Sequence, residues 1–478
     1  MADLVTDVVV VGGGLAGLAC ANRCAEEGLS VTVLEKGAEV LYACNSRYAM
    51  GFINCAFEHA RGDPGVLRRA IERSTRGFAD PVLADAFAGS IGPALKWLRG
   101  QGVKIIKGGW ENGQRELLAP PPLMRPGLNW NGRGADSMVR RLIAQLEGRG
   151  GRLIRGVRAR ELLMEAGRCV GVAGVKDGHE VRFDARLGVL LADGGFQADA
   201  ELLGRYVTRH PDRLLQRNAQ TGGGDGLRMA QAVGAQLRGM DRFYGHVQSR
   251  DAMSNPLLWP YPTMDTPIHF GVAVDGRGRR FCDEGLGGVY VANEIARLQD
   301  PLEAVAIFDQ PIWDGEATRV ARPPNPLVPR VGGTVHRADT LEELARLAGL
   351  SPDALRATID AYNRAVDEGV TDNLDPARSG GVYRPRALRT APFYAVPLCA
   401  GITYTMGGVF IDGDCRVMGA QGVPIEGLYA AGSTTGGHEG GPVAGYTGGL
   451  GKAMTFGWRA GNCIAQKARE VRKDKAAA

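Results

Sequence analysis

Val8 to Val11 form an unbroken apolar run, the pattern of a parallel strand buried on both faces. Glycines follow, and then small and apolar residues recur at Leu18, Ala21, Cys24 and Ala25 with helical spacing. Gly28 predicts the end of that helix, and Val31 to Leu34 predict a second strand closing on Glu35. Two later apolar runs end in small-residue turns, LGVLLADGG (187–195) and GLYAAGSTTGG (427–437). A helix-like segment, 447–460, follows the second. Between them the pattern is mixed. FGVAVDGRG reads as strand, while LEELARLAG and SPDALRATIDAYNRAVDEG read as helices. Leu341, Leu344, Leu347 and Leu350 are expected to form a packing face. PPNPLVPR (323–330) reads as a proline-stiffened loop. RPGLNWNGRG (125–134) and QSRDAMSNPLLWPYPTMD (248–265) read as long loops, the first leading into a helix near Asp136.

Composition narrows the class. The 478 residues suffice for more than one domain, and 44% hydrophobic with 23% charged residues is a globular balance. The 70 glycines follow no three-residue period, which excludes collagen. A net charge of +5 with scattered arginines argues against nucleic acid as partner. The nine cysteines include no CxxC pair, so no metal site is expected. Their odd number, with no signal peptide, points to reduced thiols and a cytoplasmic protein. No run is long and apolar enough for a membrane span.

The N-terminal glycines carry chemistry. Gly12 permits a tight turn, Gly14 lets a pyrophosphate approach the backbone, and Gly17 lets the helix pack on the strand. The helix N-terminus offers free N–H groups to phosphates, and Glu35 stands where an acid can bond ribose hydroxyls. Two later segments that also approach the nucleotide favour FAD over NAD.

The ordered motifs VVGGGLAGL, CNSRYAMG (44–51), LADGGF (191–196), TGGGDGLRMA (221–230), GRRFCDEG (278–285), TYTMGG (403–408) and GLYAAG (427–432) resemble the succinate dehydrogenase and fumarate reductase flavoproteins over nearly the whole chain. Tricarballylate dehydrogenase and, in GLGKAMTFG (449–457), ketosteroid dehydrogenases are the similar members. The resemblance implies an α/β fold: a discontinuous Rossmann-like FAD-binding domain (1–239 and 396–478) with an inserted α+β capping domain (240–395). Hinges are expected near Met240 and Pro397. It places Ala16, Lys36, Val157, Asp193, Gly194 and Asp225 along the cofactor, beside Gly12, Gly14, Gly17 and Glu35. Asn45, Ser46, Gly51, Tyr404, Gly432, Ser433, Gly448, Gly449 and Leu450 are expected around the flavin. Asn45 stands where membrane-bound members carry a histidine linked to FAD, which implies non-covalent FAD. Cys44 is expected to be a packing residue.

The family's fumarate-handling side chains are altered here. His246 keeps one histidine position, but Thr403 replaces the other, Tyr446 falls at the binding arginine, and Trp313 falls at the proton-delivering arginine. Glu284 remains, but no arginine follows it in GLGGVY. This argues against a dicarboxylate reductase. Thr403, Tyr404 and Tyr446, with His246 opposite, suit a carbonyl-bearing substrate, whose C=O a hydroxyl can polarise. Tyr446 is the first candidate base, with His246 the alternative. Arg125 or Arg133 could hold a carboxylate, and Trp130, Trp259 and Tyr261 suit a flat apolar body. The expected activity is an FAD-dependent dehydrogenation that introduces a C=C bond next to a carbonyl or carboxyl group, by proton abstraction and hydride transfer to flavin N5. An ene-reductase and a flavin electron-transfer subunit are the alternatives. With no Fe–S or haem motif in the chain, electrons are expected to leave to an external acceptor.

Overall fold

A computed structural model describes residues 4–109, 111–381 and 383–477. An eight-stranded sheet dominates one half. Its path runs Arg416–Met418, Pro424–Ala430, His179–Leu191, Leu4–Val11, Val31–Glu35 and Arg152–Arg155, and the hairpin Val157–Glu165 with Arg168–Lys176 joins the third of these. The central strands are parallel, with Val11 opposite both Leu34 and Leu191, and Leu191 opposite Ala430. This register brings four carboxyl ends to one edge, the place where open parallel sheets bind ligands. Gly12, Glu35, Asp193 and Gly432 are therefore neighbours although 420 positions separate the first from the last.

Local chemistry explains the edge. Gly12 has φ +105°, and a side chain there would place Cβ 2.4 Å from the Ala192 carbonyl oxygen. Glycine is the residue that fits both demands. The helix Leu15–Glu26 follows, packed against a long C-terminal helix, Gly449–Ala477. A Cβ at Gly457 would lie 2.2 Å from the Ala16 carbonyl oxygen, so glycine lets these two helices touch backbone to backbone. The C-terminal helix outruns the expected 447–460 segment.

The second, six-stranded sheet is organised on one strand, Phe393–Thr405, buried at every position except half-buried Thr403. Val305–Asp309, His336–Ala338 and Phe243–Ser249 pair antiparallel with it, and Leu215–Gln216 pairs parallel. Pro397 lies inside this strand rather than at a break. Tyr244 faces Tyr404 and Gly245 faces Ile402, so Thr403 is an extra residue bulging from the ladder. Bulges of this kind re-aim side chains beside functional sites.

Two local expectations are corrected. Pro324–Arg330 is helical, with a break at Asn325, because prolines fit a first turn, where their missing N–H has no helical partner. The leucine row is only partly a packing face. Leu344 and Leu350 are buried, but Leu347 is 48% exposed. Within the helix Leu341–Leu347 three-residue steps rotate about 300°, so the row has turned off the core by Leu347, while Leu350 lies beyond the helix end.

Candidate active site

A cleft lies along the sheet edge. Gly12, Gly14, Ala16, Glu35, Lys36, Asn45, Ser46, Val157, Asp193, Gly194, Asp225, Gly432 and Ser433 all line it. Glu35 is buried and accepts from the Gly13 N–H at 2.9 Å and the Gly37 N–H at 2.8 Å. Burial pushes its carboxyl up, and those two N–H groups oppose the shift. Ser46 Oγ accepts from the Leu15 N–H at 2.9 Å. Asp225 accepts from Arg158 at 2.6 Å and faces Lys36 at 3.5 Å. Gly17 is not in the lining; it packs the helix on the turn, where its Cβ would lie 2.0 Å from the Gly12 carbonyl oxygen.

Asp193 accepts from the Gly226 N–H at 2.8 Å. Burial pushes its carboxyl up to about 6, against the pull of that N–H and of Lys36. The folded protein thus holds this proton more tightly than the unfolded chain, and stability from it is present at low pH and lost as pH rises through about 6. Asp193→Asn keeps an acceptor and removes the titration. The melting temperature of flavin-free wild type, relative to flavin-free Asp193→Asn, should fall between pH 4 and pH 6 and then level. Parallel curves would contradict the assignment.

A second cavity, of about 390 Å³, opens from the cleft through Asn45, Ser46, Ser433 and Ala453, which line both. Two adjoining spaces of this kind would suit a long dinucleotide. Asn45 fixes the junction: its Nδ2 donates to the Thr403 carbonyl at 2.8 Å, and its Oδ1 accepts from the Ala219 N–H at 3.0 Å. Gly51, Thr403, Tyr404, Tyr446, Gly449 and Leu450 line the second cavity, whereas Gly448 lines neither. Cys44 borders the cleft, and burial pushes its thiol up to about 12, which makes it a packing residue at neutral pH.

Three tyrosines form one wall. The Tyr244 ring stacks on Tyr446 with centroids 4.5 Å apart and on Tyr404 at 5.2 Å. Tyr446 Oη accepts from the Gly449 N–H at 3.0 Å. Burial holds the Tyr446 phenol well above its ordinary value, which disfavours the phenolate needed of a base and suits a donor. Tyr404 donates to Glu439 at 3.2 Å, and Glu439 is paired with Lys452; both of these are fully buried.

His246 is not in the cavity wall. It lies two residues from Tyr244 on the same strand face, and its Nε2 is 3.1 Å from the Tyr244 hydroxyl. Its Nδ1 is bonded to Asp265, which also accepts from the Val247 N–H at 2.9 Å. Burial works against the Asp265 charge, but His246 prevails and holds the carboxyl below its usual range. In the neutral tautomer whose Nδ1–H donates to Asp265, Nε2 is the acceptor for Tyr244. Sequence reasoning missed Tyr244 and Asp265. The alternation Tyr244-x-His246 was the available signal for the first; the 19-residue separation of Asp265 from His246 hid the second.

Trp259 and Tyr261 line the cavity, and the Trp130 ring lies tilted against the lining residue Tyr48 at 5.4 Å. Arg125 is exposed, and neither it nor Arg133 lines the cavity. A different arginine does: Arg217, buried, donating to Thr403 Oγ1 at 2.9 Å and to the Pro260 carbonyl at 3.1 Å. Trp313 is a core residue stacked on Phe308 and Tyr394. Glu284 is buried against Arg280 at 2.6 Å, in a structural ion pair outside the cavity lining. Among the described residues no cluster suits a metal ion, and no helix is long and apolar enough to cross a membrane.

Comparison with known proteins agrees with this geometry. Residues 7–448 match the FAD binding domain family. The chain is 28% identical to NADH:acrylate oxidoreductase of Vibrio harveyi, over 92% of this chain and 48% of that protein. It is 31% identical to 4-oxocyclohexanecarboxylate 2-dehydrogenase of Sinomonas cyclohexanicum, over 68% of this chain and 58% of that one. It thus spans only about half the length of these two relatives. Among solved structures, 3-ketosteroid-Δ4-(5α)-dehydrogenase from Rhodococcus jostii RHA1, in complex with 4-androstene-3,17-dione, superposes with a TM-score of 0.73 at 25% identity, covering 97% of both chains. The chain belongs to the FAD binding domain family, among the succinate dehydrogenase and fumarate reductase flavoproteins, and its cofactor is FAD.

Proposed function

We propose that this protein is an FAD-dependent dehydrogenase that introduces a C=C bond next to a carbonyl group. The observation that carries this reading is Tyr244, a residue of the cavity wall whose hydroxyl is backed by His246 and Asp265 and whose ring stacks on that of Tyr446. Tyr446 donates to the substrate carbonyl, which acidifies the neighbouring C–H. Tyr244 takes that proton as its own passes to His246 Nε2, and Asp265 stabilises the imidazolium that forms. Burial holds the Tyr244 phenol far above its ordinary value, so the relay to His246 does the work that a free phenolate would do elsewhere. FAD, when bound, supplies the two-electron oxidation by accepting the β-hydrogen as hydride. With FAD bound, the substrate would lose one proton to the protein and one hydride to the cofactor, whose electrons would leave to an external acceptor.

His246 is therefore a positioning and proton-accepting residue behind Tyr244, in place of the direct base considered from sequence. The Asn45 amide, engaged at both ends, supports non-covalent FAD. Residues 240–395 serve as the cover of the site in this reading. The relative named for 4-oxocyclohexanecarboxylate supports a saturated ketone as substrate. Anaerobic mixing with saturated cyclic ketones and keto acids should bleach the bound flavin. Failure of all of them, with enones reoxidising the reduced protein, would reverse the direction and make it an ene-reductase.

A further inference from the structure

Five arginines are buried among the described residues: Arg47, Arg217, Arg242, Arg322 and Arg378. Three face acids, Arg47 with Asp136, Arg242 with Glu294 and Arg378 with Glu284. Arg217 and Arg322, 7% and 6% exposed, have no carboxylate within 4.0 Å among the described residues. Both lie over the Tyr261 ring, at 5.1 and 5.0 Å from its centroid. Arg322 donates to the Leu123 carbonyl at 2.7 Å, and burial holds its guanidinium below the ordinary value. Carbonyl oxygens and ring faces ease the burial of a guanidinium but leave its charge uncompensated, and that is costly away from water. Arg217 lines the cavity. The one acid in that lining, Glu111, is exposed and takes a hydrogen bond from Gln114 at 2.7 Å.

We infer that Arg217 anchors a carboxylate of the substrate, which makes the substrate a small keto acid. This rests on reading the cavity as the substrate site. The guanidinium already fixes Thr403 and Pro260, so its plane is set before a ligand arrives. A carboxylate there supplies the missing charge through charge-assisted bonds. Tyr446 lines the same cavity and offers its hydroxyl to the carbonyl of that molecule. The far end of the flavin shares this space through Asn45, Ser46 and Ser433, so the remaining volume suits a single ring or short chain.

The test is binding to the FAD-loaded protein, read from the flavin absorption spectrum, with two probes that cannot react. Cyclohexanecarboxylate should bind roughly 10- to 100-fold more tightly than cyclohexanecarboxamide, the scale of a charged hydrogen-bonded contact. Arg217→Gln should abolish this preference and leave amide binding within about threefold of wild type. Equal affinity of wild type for acid and amide overturns the inference without any variant. Loss of both probes equally in Arg217→Gln, with full flavin content, also overturns it, because it marks a purely structural arginine. Flavin bleaching by neutral ketones is read separately. If they bleach and the acid has no advantage, the dehydrogenase reading stands and the carboxylate anchor falls. If the acid binds through Arg217 and no saturated compound bleaches, the anchor stands and the dehydrogenase reading falls.

Discussion

Tyr244→Phe should slow flavin reduction by roughly 10²- to 10⁴-fold, the range for a positioned acid–base group, while FAD stays bound. The substitution removes one oxygen. The ring keeps its place between Tyr404 and Tyr446, with centroids at 5.2 and 4.5 Å, so the cavity wall is preserved. What is lost is the contact between the cavity and His246 Nε2, 3.1 Å behind that hydroxyl. Rapid-mixing absorbance under anaerobic conditions gives the rate, and the flavin-to-protein ratio checks retention. A rate within threefold of wild type would take Tyr244 out of the mechanism and return the base to another group.

Lys452→Met should destabilise the protein by about 3–5 kcal/mol, the scale for removing one partner of a buried ion pair. Lys452 and Glu439 are both 0% exposed. The Glu439 carboxylate also takes the Tyr404 hydroxyl at 3.2 Å and the Thr447 N–H at 3.4 Å. Without the ammonium, these neutral donors would face a carboxylate with no counter-charge. Denaturant unfolding measures the loss, and pairing the change with Glu439→Gln should recover most of it, since coupled residues are not additive. A loss under about 1 kcal/mol would mean that water reaches the pair. The Tyr404 ring, which carries Lys452 at 5.2 Å over its face, should move with the pair and register the change at the cavity wall.

The cofactor half was legible because its signals are local. The valine run, the turn at Gly12 and the acid at Glu35 lie within 36 residues, and the strand register places them as their spacing implied. Asn45 and Ser46 came from motif resemblance and lie at the junction of the two cavities. The substrate half was only partly legible, because its geometry is made by pairing across the chain. Tyr244 reaches Tyr404 through an antiparallel register with a bulge, and nothing near either residue announces the partner. Arg217 arrives because Leu215–Gln216 adds to a strand 186 positions away. Arg125 and Arg133 had the right chemistry in a conspicuous loop, but that loop leaves both outside the cavity lining. Tyr446 was recognised, yet its proposed role rests on burial and on the Gly449 N–H, neither of which is visible in a sequence.

The unbroken strand Phe393–Thr405 makes the site a lever. Its first five residues pair with Val305–Asp309, and its last eight run beside Phe243–Ser249 to end at Thr403, Tyr404 and Thr405. At a rise of about 3.3 Å per residue it spans about 40 Å, so a tilt of about 3° at one end displaces the other by about 2 Å. The strand thus ties the register of Val305–Asp309 to the placement of Tyr404.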